Sequence, residues 1–192
     1  MCLLIRYLIR KARIKEYFDT KETGFLPMSQ IRSAVILLDG TSEGCTSAGE
    51  KLKKFFSSCN VSVTLMYLDF RRKSKTVIRY SPAEETIYSR HISWTGVPKI
   101  KKFHSLLTTE FDLMINLVEN SGFTVDFLSK SLKARFKIGA LDYKGHDFDF
   151  IIETPSPDGT QPNNSDSRHG TATSDKTEKK IEIIIEFLKK II

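Results

Sequence analysis

Long apolar runs are missing from this sequence. Nothing in its 192 residues approaches the roughly 18 consecutive apolar positions that a membrane-spanning helix requires, so no segment reads as transmembrane. Cysteine is scarce: Cys2, Cys45 and Cys59 cannot all pair and show no CxxC spacing, which argues against a disulfide framework and for a reducing cytosol. The histidines, at 91, 104, 146 and 169, stand far apart, and none has metal-ligand spacing with a cysteine or another histidine. No metal is expected. Also missing are the dinucleotide fingerprint, the P-loop, the serine elbow of hydrolases, and the signatures of the common RNA- and DNA-binding modules. No cofactor is expected and no catalytic residue is assigned. An enzyme is not excluded, because carboxylates and asparagines catalyse without any motif.

What is present is an ordinary globular composition, 40% apolar and 28% charged, at a length that favours one domain. The formal net charge of +7 and a pI near 9.3 are compatible with an anionic partner: a small phosphorylated ligand, nucleic acid or an acidic membrane surface.

Residues 1–20 read as an amphipathic basic helix. Leu4, Tyr7, Leu8, Lys11 and Ile14 recur at helical spacing. Arg6, Arg10, Lys11, Arg13 and Lys15 interrupt and follow the apolar residues, whereas a secretory signal carries its charge first. The helix is expected to pack on the domain or on a second copy of the chain, which makes it a candidate for homo-oligomerisation. A membrane-surface or nucleic-acid-binding arm is the sharper reading.

The domain proper is expected over 30–153. Ala34–Leu38 is a continuous apolar run that suits a central strand buried on both faces. A Gly-containing loop, Asp39 to Gly44, follows it, and Ser47 with Glu50 fits a capping box at the start of a helix ending near Ser58. Val61, Val63, Leu65 and Tyr67 alternate in a second strand, which completes a βαβ unit. Ser81-Pro82-Ala83-Glu84 signals a short helix. A helix from Pro98 leads to the strand Phe111–Leu117, and a further helix leads to a strand through Phe136 and Ile138. Phe148, Phe150 and Ile152 form a fifth strand, which the short connection makes an antiparallel neighbour of the fourth. Residues 154–177 change to Pro, Ser, Thr, Asn and Gly and read as a flexible loop. An apolar stripe of Ile181, Ile184, Ile185 and Leu188 makes 178–192 a helix that completes the domain. The expected architecture is a three-layer, Rossmann-like α/β sandwich with a mixed, mainly parallel sheet of about five strands, the final one antiparallel.

Phe111–Leu117, Ser131–Gly139 and Phe148–Ile152, with the earlier Trp94-Thr95-Gly96-Val97-Pro98, resemble an uncharacterised family of short cytosolic α/β proteins from Bacteroidetes, a domain of unknown function. The resemblance covers roughly residues 30 to 190 and implies a fold and a compartment, but no catalytic residues. The long segment 154–177 departs from the family pattern, which is shorter there.

Two sets of residues stand out as candidate sites. Asp39, Thr41 and Ser42 leave a central strand and enter a helix, where backbone N–H groups and the helix dipole favour an anion. Asn116 and Asn120, at the end of the strand Phe111–Leu117, are placed to face the same crevice. Together they predict a cytosolic, non-catalytic protein that binds a small anionic ligand at the strand carboxyl ends. Turn-forming preference explains the same asparagines more simply. The alternative is a nucleic-acid-associated protein, with Arg71, Arg72, Lys73, Lys133 and Arg135 converging on one basic face. Lysines dispersed over solvated surfaces account for that set as well.

Overall fold

A computed structural model describes residues 2–18, 21–72, 77–119, 122–141, 147–152 and 170–190. Six strands form one sheet: β1 (Ser33–Asp39), β2 (Ser62–Asp69), β3 (Thr86–Tyr88), β4 (Glu110–Asn116), β5 (Lys133–Gly139) and β6 (Phe150–Ile151). Their order is β3-β2-β1-β4-β5-β6, and every pairing is parallel. Five helices accompany them: α1 (Cys2–Tyr17), α2 (Cys45–Ser58), α3 (Ile100–Thr108), α4 (Phe123–Ser131) and α5 (Gly170–Lys190).

The apolar run at β1 does what its composition predicts. It lies between β2 and β4, with Ala34, Val35, Ile36 and Leu37 all 0% exposed. Alternate residues feed two cores. Ala34, Ile36 and Leu38 pack with Leu52 and Phe56 of α2 and with Ile181, Ile184 and Leu188 of α5. Val35 and Leu37 pack with Phe103 and Leu107 of α3 and with Val125 and Leu128 of α4. Each fully buried aliphatic side chain contributes about 1.5–3 kcal/mol of hydrophobic stabilisation, so the central strand anchors both layers. At the amino edge the Asp112 carboxylate accepts from the backbone N–H groups of Arg32 at 2.9 Å and Ser33 at 3.1 Å, and from Arg135 Nη1 at 3.2 Å. One side chain thus aligns the starts of three adjacent strands.

Several expectations are corrected. The sheet has six strands, not five, because Thr86–Tyr88, buried throughout, adds to the free edge of β2. The short helix expected from Ser81 is instead a turn. Thr86 Oγ1 donates to the Pro82 carbonyl, and the Tyr67 N–H bonds to Glu85 O, drawing the chain onto the sheet. Helix α2 begins two residues before Ser47: Gly44, at φ 86, holds the N-cap position in the left-handed region that glycine tolerates.

The final strand is parallel, not antiparallel. Ile138 pairs with Phe150 and Gly139 with Ile151, although the connection is too short for a helical crossover. Gly139 helps to make this return workable. A Cβ there would lie 2.6 Å from the Phe148 ring, so its absence lets the aromatic side chain press against the strand end as the chain comes back. The loop expected over 154–177 lies outside the described residues as far as 169, and α5 begins at Gly170. Its side of the sheet closes by stacking Phe187 on Phe150 at 4.2 Å.

Helix α1 packs against α4, with its amphipathicity turned round. Tyr17 meets Phe127 edge-on at 6.1 Å, and Arg10 reaches inward to the Thr95 carbonyl at 2.5 Å. Leu3, Leu4, Tyr7 and Leu8 face outward at 81%, 64%, 60% and 54% exposure.

Candidate functional site

At the strand carboxyl ends the residues expected to bind ligand are engaged in holding loops. Asp39 Oδ1 accepts from Thr41 N–H at 2.8 Å and Thr41 Oγ1 at 2.6 Å, a local turn closed by its own carboxylate. Ser42 is buried, and its carbonyl accepts the Cys45 N–H. Asn116 is buried as well. Its Nδ2 donates to Ser129 Oγ at 2.9 Å, and its Oδ1 accepts from Val118 N–H at 3.0 Å. Ser129 Oγ continues the chain to the Val125 carbonyl. That network ties the end of β4 to the body of α4, using one donor and one acceptor of Asn116, which is 1% exposed. Asn120 lies outside the described residues.

The basic residues do not converge. Arg71 follows β2 at the carboxyl edge, whereas Lys133 and Arg135 belong to the first half of β5, at the amino end. Lys73 lies outside the described residues, and Arg72 is exposed. Arg71 is already neutralised: Asp69, fully buried, accepts from its Nε at 3.0 Å, and Arg79 stands 3.4 Å from the same carboxylate. Arg135 pairs with Asp112 at 3.2 Å.

A cleft of about 290 Å³ lies elsewhere on that carboxyl edge. Phe70 comes directly after β2, Ser89 directly after β3, and Gly122 with Phe123 and Thr124 opens α4. Arg6 and Arg10 of α1 complete the lining, which has no carboxylate among the described residues. Parallel pairing forces this arrangement, since every strand delivers its following loop to the same edge.

The loop Ile92–Pro98 frames the cleft. It folds back on itself through Ser93 N–H to Val97 O at 2.8 Å and Gly96 N–H to Ser93 O at 2.9 Å. Its outer links run to two helices. Arg10 Nε donates to Thr95 O, and Thr124 Oγ1 donates to Gly96 O at 2.8 Å. Gly96 sits at φ +92, and a Cβ on it would fall 2.8 Å from the Phe123 ring and 3.0 Å from Arg10 Nη2. Only glycine accepts both the left-handed backbone and this close approach.

Electrostatically the cleft is one-sided. Burial, and then the neighbouring charge of Arg6, pull the Arg10 guanidinium below its ordinary value. Arg6 Nε is buried with no hydrogen-bond partner among the described residues. Two guanidinium groups, the hydroxyl-bearing residues Ser89, Ser93 and Thr124, and the amino end of α4 therefore meet in one space. Donors and positive potential without a balancing acid are what an anion requires.

Motif reading missed this cleft because Arg6 and Arg10 come from a helix that composition assigned to the periphery. Two signals were available: the four-residue spacing of the arginines, and the Trp94–Pro98 segment that carried the family resemblance.

The fold and cleft define a class, a doubly wound, Rossmann-like α/β protein with a polar cleft at the carboxyl edge of an all-parallel sheet. Within that class, residues 5–164 match DUF6913, a family of unknown function, and the chain belongs to it. No curated protein and no solved structure matches the chain.

Proposed function

We propose that this protein is a cytosolic binder of a small anionic ligand, held in the cleft between α1, the Ile92–Pro98 loop and the amino end of α4. The observation that carries the reading is the pair Arg6 and Arg10, which line the cleft with no carboxylate among the described residues and include a buried Nε unpartnered among those residues. A buried donor left unmade costs about 1–3 kcal/mol, and a bound phosphate or carboxylate oxygen would remove that cost. The apolar walls, Phe70, Ile92 and Phe123, favour a ligand with a hydrophobic part beside its charge. Free thiols at Cys45 and Cys59 support the reducing compartment.

Titration calorimetry with inorganic phosphate and pyrophosphate tests this. The full chain should bind at least one of them, and Arg6→Gln should weaken that binding by about tenfold, the worth of one charge-assisted hydrogen bond. Equal affinity in wild type and variant, or no binding by wild type at low salt, would overturn it.

A further inference from the structure

The outward face of α1 runs against amphipathic logic. Successive positions on that face are Leu4, Leu8, Lys11 and Lys15, with Leu3 and Tyr7 beside them, and all six are exposed. The opposite face, Arg6, Arg10 and Tyr17, is the one turned to the domain, through the Thr95 carbonyl, the Phe123 ring and Phe127. A helix that needs its leucines for packing does not place guanidinium groups inward and leucines outward. Trp94, 60% exposed, is adjacent in the chain to the residue whose carbonyl Arg10 holds, so a second large apolar group stands on the loop fastened to this helix.

We propose that the outer face of α1 docks in the plane of an anionic lipid surface. The leucines would enter the boundary between headgroups and acyl chains, and Lys11 and Lys15 would meet lipid phosphates. Charge selects this occupant over a second copy of the chain. The face is divided along its length, leucines in the first half and lysines in the second, over about 17 Å of helix. A parallel two-fold pairing would set Lys11 and Lys15 against their own copies. An antiparallel one would set lysines against Leu4 and Leu8. Neither makes a self-complementary patch. No acidic residue occurs before Glu16 in this helix, and Glu16 is held by Arg13 at 2.6 Å. An anionic membrane accepts both halves at once. The inference does not depend on the cleft, because its residues point the other way.

Flotation of the full chain with vesicles decides the matter. Vesicles of equal parts phosphatidylcholine and phosphatidylglycerol should carry the protein upward at low salt, and vesicles of phosphatidylcholine should not. Leu4→Ser with Leu8→Ser should lower the floated fraction about tenfold, the scale expected from removing two inserted side chains. These positions are exposed, so the unfolding midpoint should not move. Lys11→Glu with Lys15→Glu, which leaves the apolar residues in place, should abolish flotation on the mixed vesicles. The proposal is overturned by absence of flotation on mixed vesicles, by equal flotation on neutral ones, or by variants that float like wild type. It is equally overturned by a doubled mass in solution that the leucine variant reduces to a monomer while wild type ignores vesicles.

Discussion

The guanidinium carbon of Arg10 stands 4.2 Å above the centroid of the Phe123 ring. Arg10 lies near the middle of α1 and Phe123 is the first residue of α4, so this contact fixes the peripheral helix to the edge where the strands end. A cation over an aromatic face is worth about 0.5–2 kcal/mol, rising as the site is desolvated. The same contact keeps a charge poised over the cleft that would be solvated if α1 were free.

Gly96→Ala tests this geometry. The new Cβ would meet both the Phe123 ring at 2.8 Å and Arg10 Nη2 at 3.0 Å, on a backbone at φ +92. Denaturant unfolding should show a loss of about 1–3 kcal/mol, and calorimetry should show weaker phosphate binding. Unchanged stability and affinity would mean that the loop does not hold the arginine.

Asn116→Ala should separate structure from ligand. Removing the amide leaves Ser129 Oγ and the Val118 N–H short of a partner in a buried setting, a cost of about 1–3 kcal/mol. Phosphate affinity should be unchanged in the folded variant. A selective loss of binding without loss of stability would return Asn116 to the ligand site.

Asp69 should give the fold an acid-dependent component. Burial on its own raises the pKa of this carboxyl, but the hydrogen bonds and charge of Arg71, with the charge of Arg79, more than offset it, and the pKa lies below the ordinary 3.8. A carboxyl lowered by folding contributes stability that is complete above the unfolded value and disappears as pH falls through the folded one. Asp69→Asn should therefore cost about 2 kcal/mol at neutral pH, below the range for breaking a fully buried pair because both arginines are partly exposed. Its difference from wild type should shrink only as the pH drops below 3.8. Denaturant midpoints measured at neutral pH and in that acid range check both halves of the statement.

Gly139→Ala probes the return to β6. A Cβ would lie 2.6–2.8 Å from three atoms of the Phe148 ring, an overpacking expected to cost about 1–3 kcal/mol. Adding Phe148→Leu should recover part of that loss, and the two changes should be clearly non-additive in a double-mutant cycle. Additive costs would show that Phe148 does not press on this glycine.

The strands that could be read in advance are those with unbroken apolar content. Ala34–Leu38 requires burial on two faces, and Phe111, Leu113, Ile115 and Leu117 recur at every second position, so local periodicity carries enough information to place both strands. Thr86–Tyr88 is too short for any period, whereas Phe148, Phe150 and Ile152 mark a strand where β6 lies but not its direction; the pairing of both is decided by the edge each finds free. The return to β6 brings Phe148 against Gly139, where a Cβ would lie 2.6 Å from the ring, a contact between residues that no periodicity connects.

The candidate site divides the same way. Sequence directed attention to the strand carboxyl ends and to a surplus of positive charge, and the cleft proposed for the ligand lies on that same edge. It chose Asp39, Thr41, Ser42 and Asn116 because they stand next to strands, whereas hydrogen bonding has engaged Asp39 and Thr41 in their own turn and Asn116 with Ser129 of α4 and the Val118 N–H, and Ser42 is buried.

What the sequence determined by itself is the class of fold, because alternating apolar strands and amphipathic helices leave few ways to bury their surface. The tertiary structure decided where the charge is left uncompensated. Arg71 and Arg135 found carboxylates, and Arg6 and Arg10 were brought to a cleft that has none among the described residues. Charge balance is a property of neighbours in space, and the chain order of cations and acids does not contain it.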